Sequence, residues 1–118
     1  IDYKRWFSIM EKCIFNLDDY RIPGSKIFTG RDIGLDVKNK SNINTIFDEN
    51  EKIEFIIPDN LFSINPSFFE ELFIDIVLKN GKEIFFNKMV FINKGKYQFE
   101  KPLNEAIDRI LREKTALD

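Results

Sequence analysis

Histidine is absent from the 118-residue chain, and cysteine occurs once, at Cys13. Without imidazole there is no Ser-His-Asp triad, no Cys-His dyad and no His zinc site; with one thiol there is no internal disulfide and no thiolate cluster. These absences remove most hydrolase and metalloenzyme chemistry, so no catalytic residue, metal or cofactor is expected. A lone Cys between Lys12 and Ile14 reads as a small core residue of a reducing compartment, which makes a cytoplasmic location the expectation. Long apolar runs are also missing. Residues 72–78 are interrupted by Asp75 and fall well short of the ~20 residues that cross a bilayer, and no stretch reads as a signal peptide. Basic excess is lacking too: 18 Lys and Arg face 20 Asp and Glu, a formal charge of −2, with the signs interspersed. Direct nucleic-acid binding and a polybasic membrane patch are therefore not expected. With five glycines, no Gly-rich phosphate loop follows any apolar run, and the spacing from Gly30 to Gly34 is not that of a dinucleotide fingerprint.

What is abundant is phenylalanine, at 13 residues, in a chain that is 43% hydrophobic. That is apolar mass enough for one core in one domain, residues 1–118, with residues 1–11 as an N-terminal extension. A first residue Ile1 rather than Met fits a cleaved product or one domain of a longer protein. Residues 52–57 alternate and end at Pro58-Asp59-Asn60, as a strand does. Phe69, Leu72, Phe73, Ile76 and Val77 recur at helical spacing, with Asn65 or Ser67 as N-cap, Pro66 in the first turn and Asn80-Gly81 as the stop. The loop from Phe62 to Phe68, aromatics next to small polar groups, reads either as a partner-docking rim or as core residues entering the helix; Phe69 belongs to the core, whereas Phe68 reads as a surface recognition residue. Residues 88–92 form the next strand, 93–96 a turn, and residues 83–87 are helix tail or loop. Pro102 opens a last helix with the stripe Leu103, Ala106, Ile107, Ile110 and Leu111, and with Glu105–Arg109 and Asp108–Arg112 as outer pairs.

The N-terminal third is less regular. Residues 12–17 read as a strand, 20–25 as a turn around Pro23-Gly24, and Thr29 as the N-cap of a helix through Ile33 and Val37. Gly34 and the polar run 38–42 weaken that helix before Ile43, Ile46 and Phe47 restore an apolar face. Residues 1–10, with Trp6, Phe7 and Met10, read as a further helix or strand. The order strand, helix, strand, helix, strand, helix gives an α/β class, with a mostly parallel or mixed central sheet packed by helices.

The segment from Phe55 to Leu72, with its hydrophobic strand, short loop and Ser67-Phe68-Phe69-Glu70 helix start, resembles the STAS-like family of small bacterial domains. Gly30-Arg31 before the first long helix and Val90-Phe91-Ile92-Asn93 as the next strand are similar as well. The resemblance spans roughly residues 12–114. It implies a small STAS-like α/β fold related to the anti-sigma-factor antagonists. It also implies a regulatory, partner-switching role with a kinase-like ATPase or regulator, and a phosphoacceptor serine at the place of Ser67. Two departures stand out: Asn65-Pro66-Ser67-Phe68 replaces an Asp-Ser-Ser-Gly type turn, losing its acidic neighbour and its glycine.

The expected partner-binding residues are Ser63, Asn65, Ser67, Phe68 and Glu71. Phosphate on Ser67 would gain from the helix dipole and meet repulsion from Glu70 and Glu71; in the plainer reading Ser67 and Glu70 form a capping box. Gly30 and Arg31 are an anion-binding candidate, with Arg31 pairing to a carboxylate as the alternative. Glu70, Glu71, Asp48, Glu49 and Glu51 read as solvated charges. The function read from the sequence is a non-catalytic protein-binding module; its rivals are a small-ligand or nucleotide sensor and a structural or oligomerising piece, and the oligomeric state is left open.

Overall fold

A computed structural model describes residues 13–117, so the reading of residues 1–11 as an extension lies outside the described residues. The chain runs β1 (Cys13–Asn16), a 3-10 turn (Leu17–Tyr20), β2 (Ile27–Phe28), α1 (Arg31–Ser41), α2 (Ile43–Glu49) and β3 (Ile53–Ile57). It continues through β4 (Ser63–Ile64), α3 (Pro66–Asn80), α4 (Lys82–Lys88), β5 (Met89–Asn93) and α5 (Glu100–Leu117). The fold is α/β. A three-stranded parallel sheet in the order β1-β3-β5 is accompanied by a two-residue parallel pair, β2 with β4.

Strands laid down in sequence order along one direction take successive right-handed crossovers on the same side. Accordingly α3 lies between α1 and α5 in one helical layer. Facing that layer is an aromatic row in a single register: Phe15 stacks on Phe55 at 4.8 Å between ring centroids, and Phe55 meets Phe91 at 5.3 Å. Phe73 of α3 packs edge-on against Phe55, Phe85 and Phe91 and stacks on Phe69, which ties the layers together. Alternation along β3 follows from the pleat, with Ile53, Phe55 and Ile57 buried and Glu54 and Ile56 half-buried.

Local signals set most boundaries. Asn65 caps α3, its Oδ1 accepting the Ser67 N–H at 2.8 Å, and Pro66 occupies the first helical position where no N–H is needed. Gly81, at φ 88°, ends α3 in a conformation that disfavours any side chain and lets α4 begin at once, so residues 83–87 are helix. Four expectations are corrected. Gly30, at φ 91°, and not Thr29, is the N-cap of α1. The polar run 38–42 stays helical until Asn42 turns left-handed at φ 57°, separating α1 from α2. Helix α5 begins at Glu100, so Pro102 lies inside its first turn, where its missing N–H costs nothing. Phe68 is fully buried, not a surface residue, with its ring 5.2 Å from Phe28 of β2 and 5.7 Å from Phe69. Helix α3 is apolar on more than one side because it is flanked by α1 and α5 as well as the sheet.

Candidate functional site

Parallel strands deliver their chain to one edge of the sheet, and α/β proteins place ligands outside the carboxyl ends of the strands. Here that rim is formed by the loops after β3 and β5. The Lys94 N–H donates to the Ile57 carbonyl at 2.9 Å, extending the ladder by one rung. Gly95 lies so close to the other loop that a Cβ there would stand 2.9 Å from the Asp59 Cα. Arg21 Nη2 donates to the Asp59 carbonyl at 2.8 Å, and the Tyr97 hydroxyl donates to the Ile64 carbonyl at 3.2 Å. Between the loops runs an open groove of about 570 Å³, lined by Asp59, Asn60, Leu61, Lys94, Gly95, Lys96 and Tyr97.

Beside this groove stands Phe62, 78% exposed. Its backbone is fixed, its N–H donating to the Lys26 carbonyl at 2.7 Å. Ser63, half-buried, pairs through its backbone with Ile27, while Asn65 is exposed at the helix cap. Ser67 is half-buried, and both its N–H and its hydroxyl donate to the Asn65 Oδ1. Ser63, Asn65 and Ser67 therefore share one stretch of rim with Phe62, while Phe68 points away into the core.

Glu70 does not cap the helix with Ser67 and is not a solvated charge. It is 1% exposed, with Oε1 accepting from Arg31 Nη2 at 3.0 Å and Oε2 facing Arg109 Nη1 at 3.9 Å, beyond hydrogen-bond distance. Arg31 thus has its carboxylate, so the guanidinium of the anion-binding candidate at Gly30 and Arg31 is already engaged. Arg109, expected to pair with Glu105, reaches Glu70 instead. Two guanidiniums around one carboxylate also offset the repulsion that Glu70 would exert on a phosphate at Ser67.

Glu71 is half-buried and takes Lys38 Nζ at 3.4 Å, so it too is not simply solvated. The same Lys38 donates to Asp75 Oδ2 at 3.2 Å, and Asn44 Nδ2 donates to that oxygen at 3.0 Å. Burial raises the Asp75 pKa, but the hydrogen bonds of Asn44 and Lys38 and the lysine charge outweigh it, leaving the carboxyl below its usual value. Burial pushes the Cys13 thiol up, which favours the inert protonated form.

Comparison of the chain with protein-family models, with curated proteins and with solved structures finds no match, so none of them identifies it as STAS-like. No helix of the described residues is long and apolar enough to cross a membrane.

Sequence reasoning named the loop from Phe62 to Phe68 without singling out Phe62, and it found neither the groove residues of the 93–97 loop nor Arg109 as a partner of Glu70. Phe62 carried a signal, an aromatic directly after a Pro-Asp-Asn-Leu turn, where loop residues are surface-bound. For the groove the signal was the convergence of strand ends in a parallel sheet; for Arg109 there was none.

Proposed function

We propose that this chain is a non-catalytic protein-binding domain that engages its partner through the rim, with Phe62 as the anchor and Ser63, Asn65 and Ser67 as the polar contacts around it. The observation that carries the reading is the 78% exposure of Phe62 on a backbone already held by hydrogen bonds. Burying such a side chain is worth roughly 1.5–3 kcal/mol, and a pre-positioned aromatic spends little ordering entropy on contact. Support also comes from how charges are used: Arg31, Glu70, Arg109, Lys38, Glu71 and Asp75 are engaged with one another rather than converging on the groove. The partner implied by the STAS-like resemblance is a kinase-like ATPase or regulator. The rim itself asks for a protein surface with a pocket that accepts an aromatic ring and groups that pair with hydroxyls and an amide.

The test is comparative capture from a cell extract by the chain, by Phe62→Ala and by Ser67→Glu, with bound proteins identified by mass. A protein held by the parent chain and lost from both variants, at an unchanged thermal midpoint, supports the reading. Undiminished binding of every partner by both variants overturns it.

A second reading is favoured by the groove, where Lys94 and Lys96 line a volume of about 570 Å³ in reach of an anionic small molecule. A nucleotide or sugar-phosphate panel that raises the thermal midpoint, with the rise abolished by Lys94→Ala plus Lys96→Ala, would select this reading over protein binding.

A further inference from the structure

The chain carries a formal charge of −2, yet the lysines left unpaired among its described residues gather at the rim. Lys38, Lys40, Lys79 and Lys82 are in ion pairs, and Lys52 and Lys88 donate to the backbone carbonyls of Asn87 and Phe47. Among the described residues neither kind of partner is found for Lys26, Lys94 and Lys96, nor for Lys101 at the start of α5. All three rim lysines are exposed. Lys94 and Lys96 line the groove, where Asp59 is the one carboxylate, so two positive charges face one negative. Lys26 belongs to the same patch, since its carbonyl accepts the Phe62 N–H at 2.7 Å. Half-buried Leu61 and Tyr97 add apolar surface to the lining; the Tyr97 hydroxyl is already donated to the Ile64 carbonyl, so what Tyr97 offers is its ring.

The geometry points to an acidic segment of the protein partner as the occupant of this groove, its carboxylates meeting Lys94 and Lys96 and its chain passing over Leu61 and Tyr97 next to the pocket that takes Phe62. This rests on the reading of the rim as a protein-contact surface and adds the chemistry of the partner. Charge is the first reason. An ammonium is a hydrated point charge without the fixed fork of a guanidinium, so Lys94 and Lys96 select for negative charge rather than for one spacing of carboxylates. Shape is the second. Sites for small molecules enclose most of their ligand, whereas this groove is open to solvent and suits an extended segment whose remainder closes over Phe62. A nucleic-acid backbone would call for a longer array of cations than three lysines in an acidic chain. Exposed charges at the edge of an interface act mainly on the rate of association and on its sensitivity to salt. Phe62 therefore anchors the partner, and the lysines steer it.

A library of random peptides displayed on phage tests this, selected at low salt on the parent chain and in parallel on Lys94→Ala plus Lys96→Ala. Sequences rich in Asp and Glu are expected from the parent chain and not from the double variant. Synthetic copies of those peptides should bind the double variant roughly ten-fold more weakly, the scale of two exposed charge pairs together, and should weaken on the parent chain as salt is raised. Charge reversal separates contact from structure. Lys94→Glu plus Lys96→Glu should reject the acidic peptides and bind copies in which Lys replaces each acidic residue, at an unchanged thermal midpoint. A selection that recovers no acidic peptide, or acidic peptides that bind parent and double variant alike, overturns the inference. Where the peptides that do bind are lost from Phe62→Ala, the rim reading stands without it. A nucleotide or inorganic phosphate that raises the thermal midpoint of the parent chain but not of the double variant, with no acidic peptide recovered, also overturns the inference and assigns the groove to a small anion.

Discussion

The helix-covered face of the sheet and the loop from Asp59 to Asn65 use phenylalanine in opposite ways. Phe55 is 0% exposed and touches Phe15, Phe73 and Phe91; Phe62, seven residues later, is 78% exposed. Phe55 sits inside β3, and Phe62 lies in a loop whose backbone is tied down by its N–H donating to the Lys26 carbonyl at 2.7 Å. Residues of the first kind build the fold, and a residue of the second kind contributes little to it, which is the basis for proposing Phe62 as a contact residue.

That contrast can be broken most forcefully at Phe55. Phe55→Ala removes the ring on which three others pack, and the expected loss is about 3–5 kcal/mol in urea unfolding, enough to threaten the folded state. A loss under about 1 kcal/mol would mean that the aromatic row is not the keystone of the core.

A smaller effect is expected where α1 crosses α3. A Cβ at Gly34 would stand 2.7 Å from the Phe68 carbonyl oxygen and 3.0 Å from the Glu71 Cβ. Gly34→Ala gains about 1 kcal/mol of helix propensity but forces two backbones apart, at about 1–3 kcal/mol. Net destabilisation of roughly 1 kcal/mol is the expected result, and a rise in thermal midpoint would show that the crossing has slack.

Smaller still is the contribution of the charged seam beside that crossing. Asp75 has a folded pKa below its ordinary value, so its contribution is present above the unfolded pKa and is lost as pH falls through the folded one. Asp75→Asn should therefore lower stability slightly at neutral pH and converge with the parent chain in the acid range below the usual carboxylate pKa. Because the side chain is half in water, the difference stays within the range of an exposed pair, under about 1 kcal/mol. A gap that persists unchanged into acid would assign the effect to packing instead.

How far the sequence revealed these regions depended on the range of the interactions that shape them. Strands β3 and β5 and helices α3 and α5 were legible because each is long enough to show its period and is bounded by Pro, Gly or Asn. Strands β2 and β4 were not, because two residues cannot display an alternation and their pairing joins positions 36 apart in the chain. Phe68 was misplaced for a related reason: a single-stripe reading of α3 cannot know that β2 covers another side of it. Glu70 was assigned to water because its partners Arg31 and Arg109 lie 39 residues before and after it. In each case a local rule was overridden by a contact between distant segments. At the rim the reverse held: Asn65 and Pro66 announce the start of α3 locally, which is why Ser63, Asn65 and Ser67 stay near the proposed contact surface while Phe68 does not.

If the core and the proposed contact surface are built from separable residues, urea unfolding distinguishes Phe62→Ala from Phe55→Ala. Phe62→Ala is expected to unfold at the midpoint of the parent chain while Phe55→Ala shifts far towards lower urea. Equal losses in the two variants would make Phe62 a structural residue and contradict that separation.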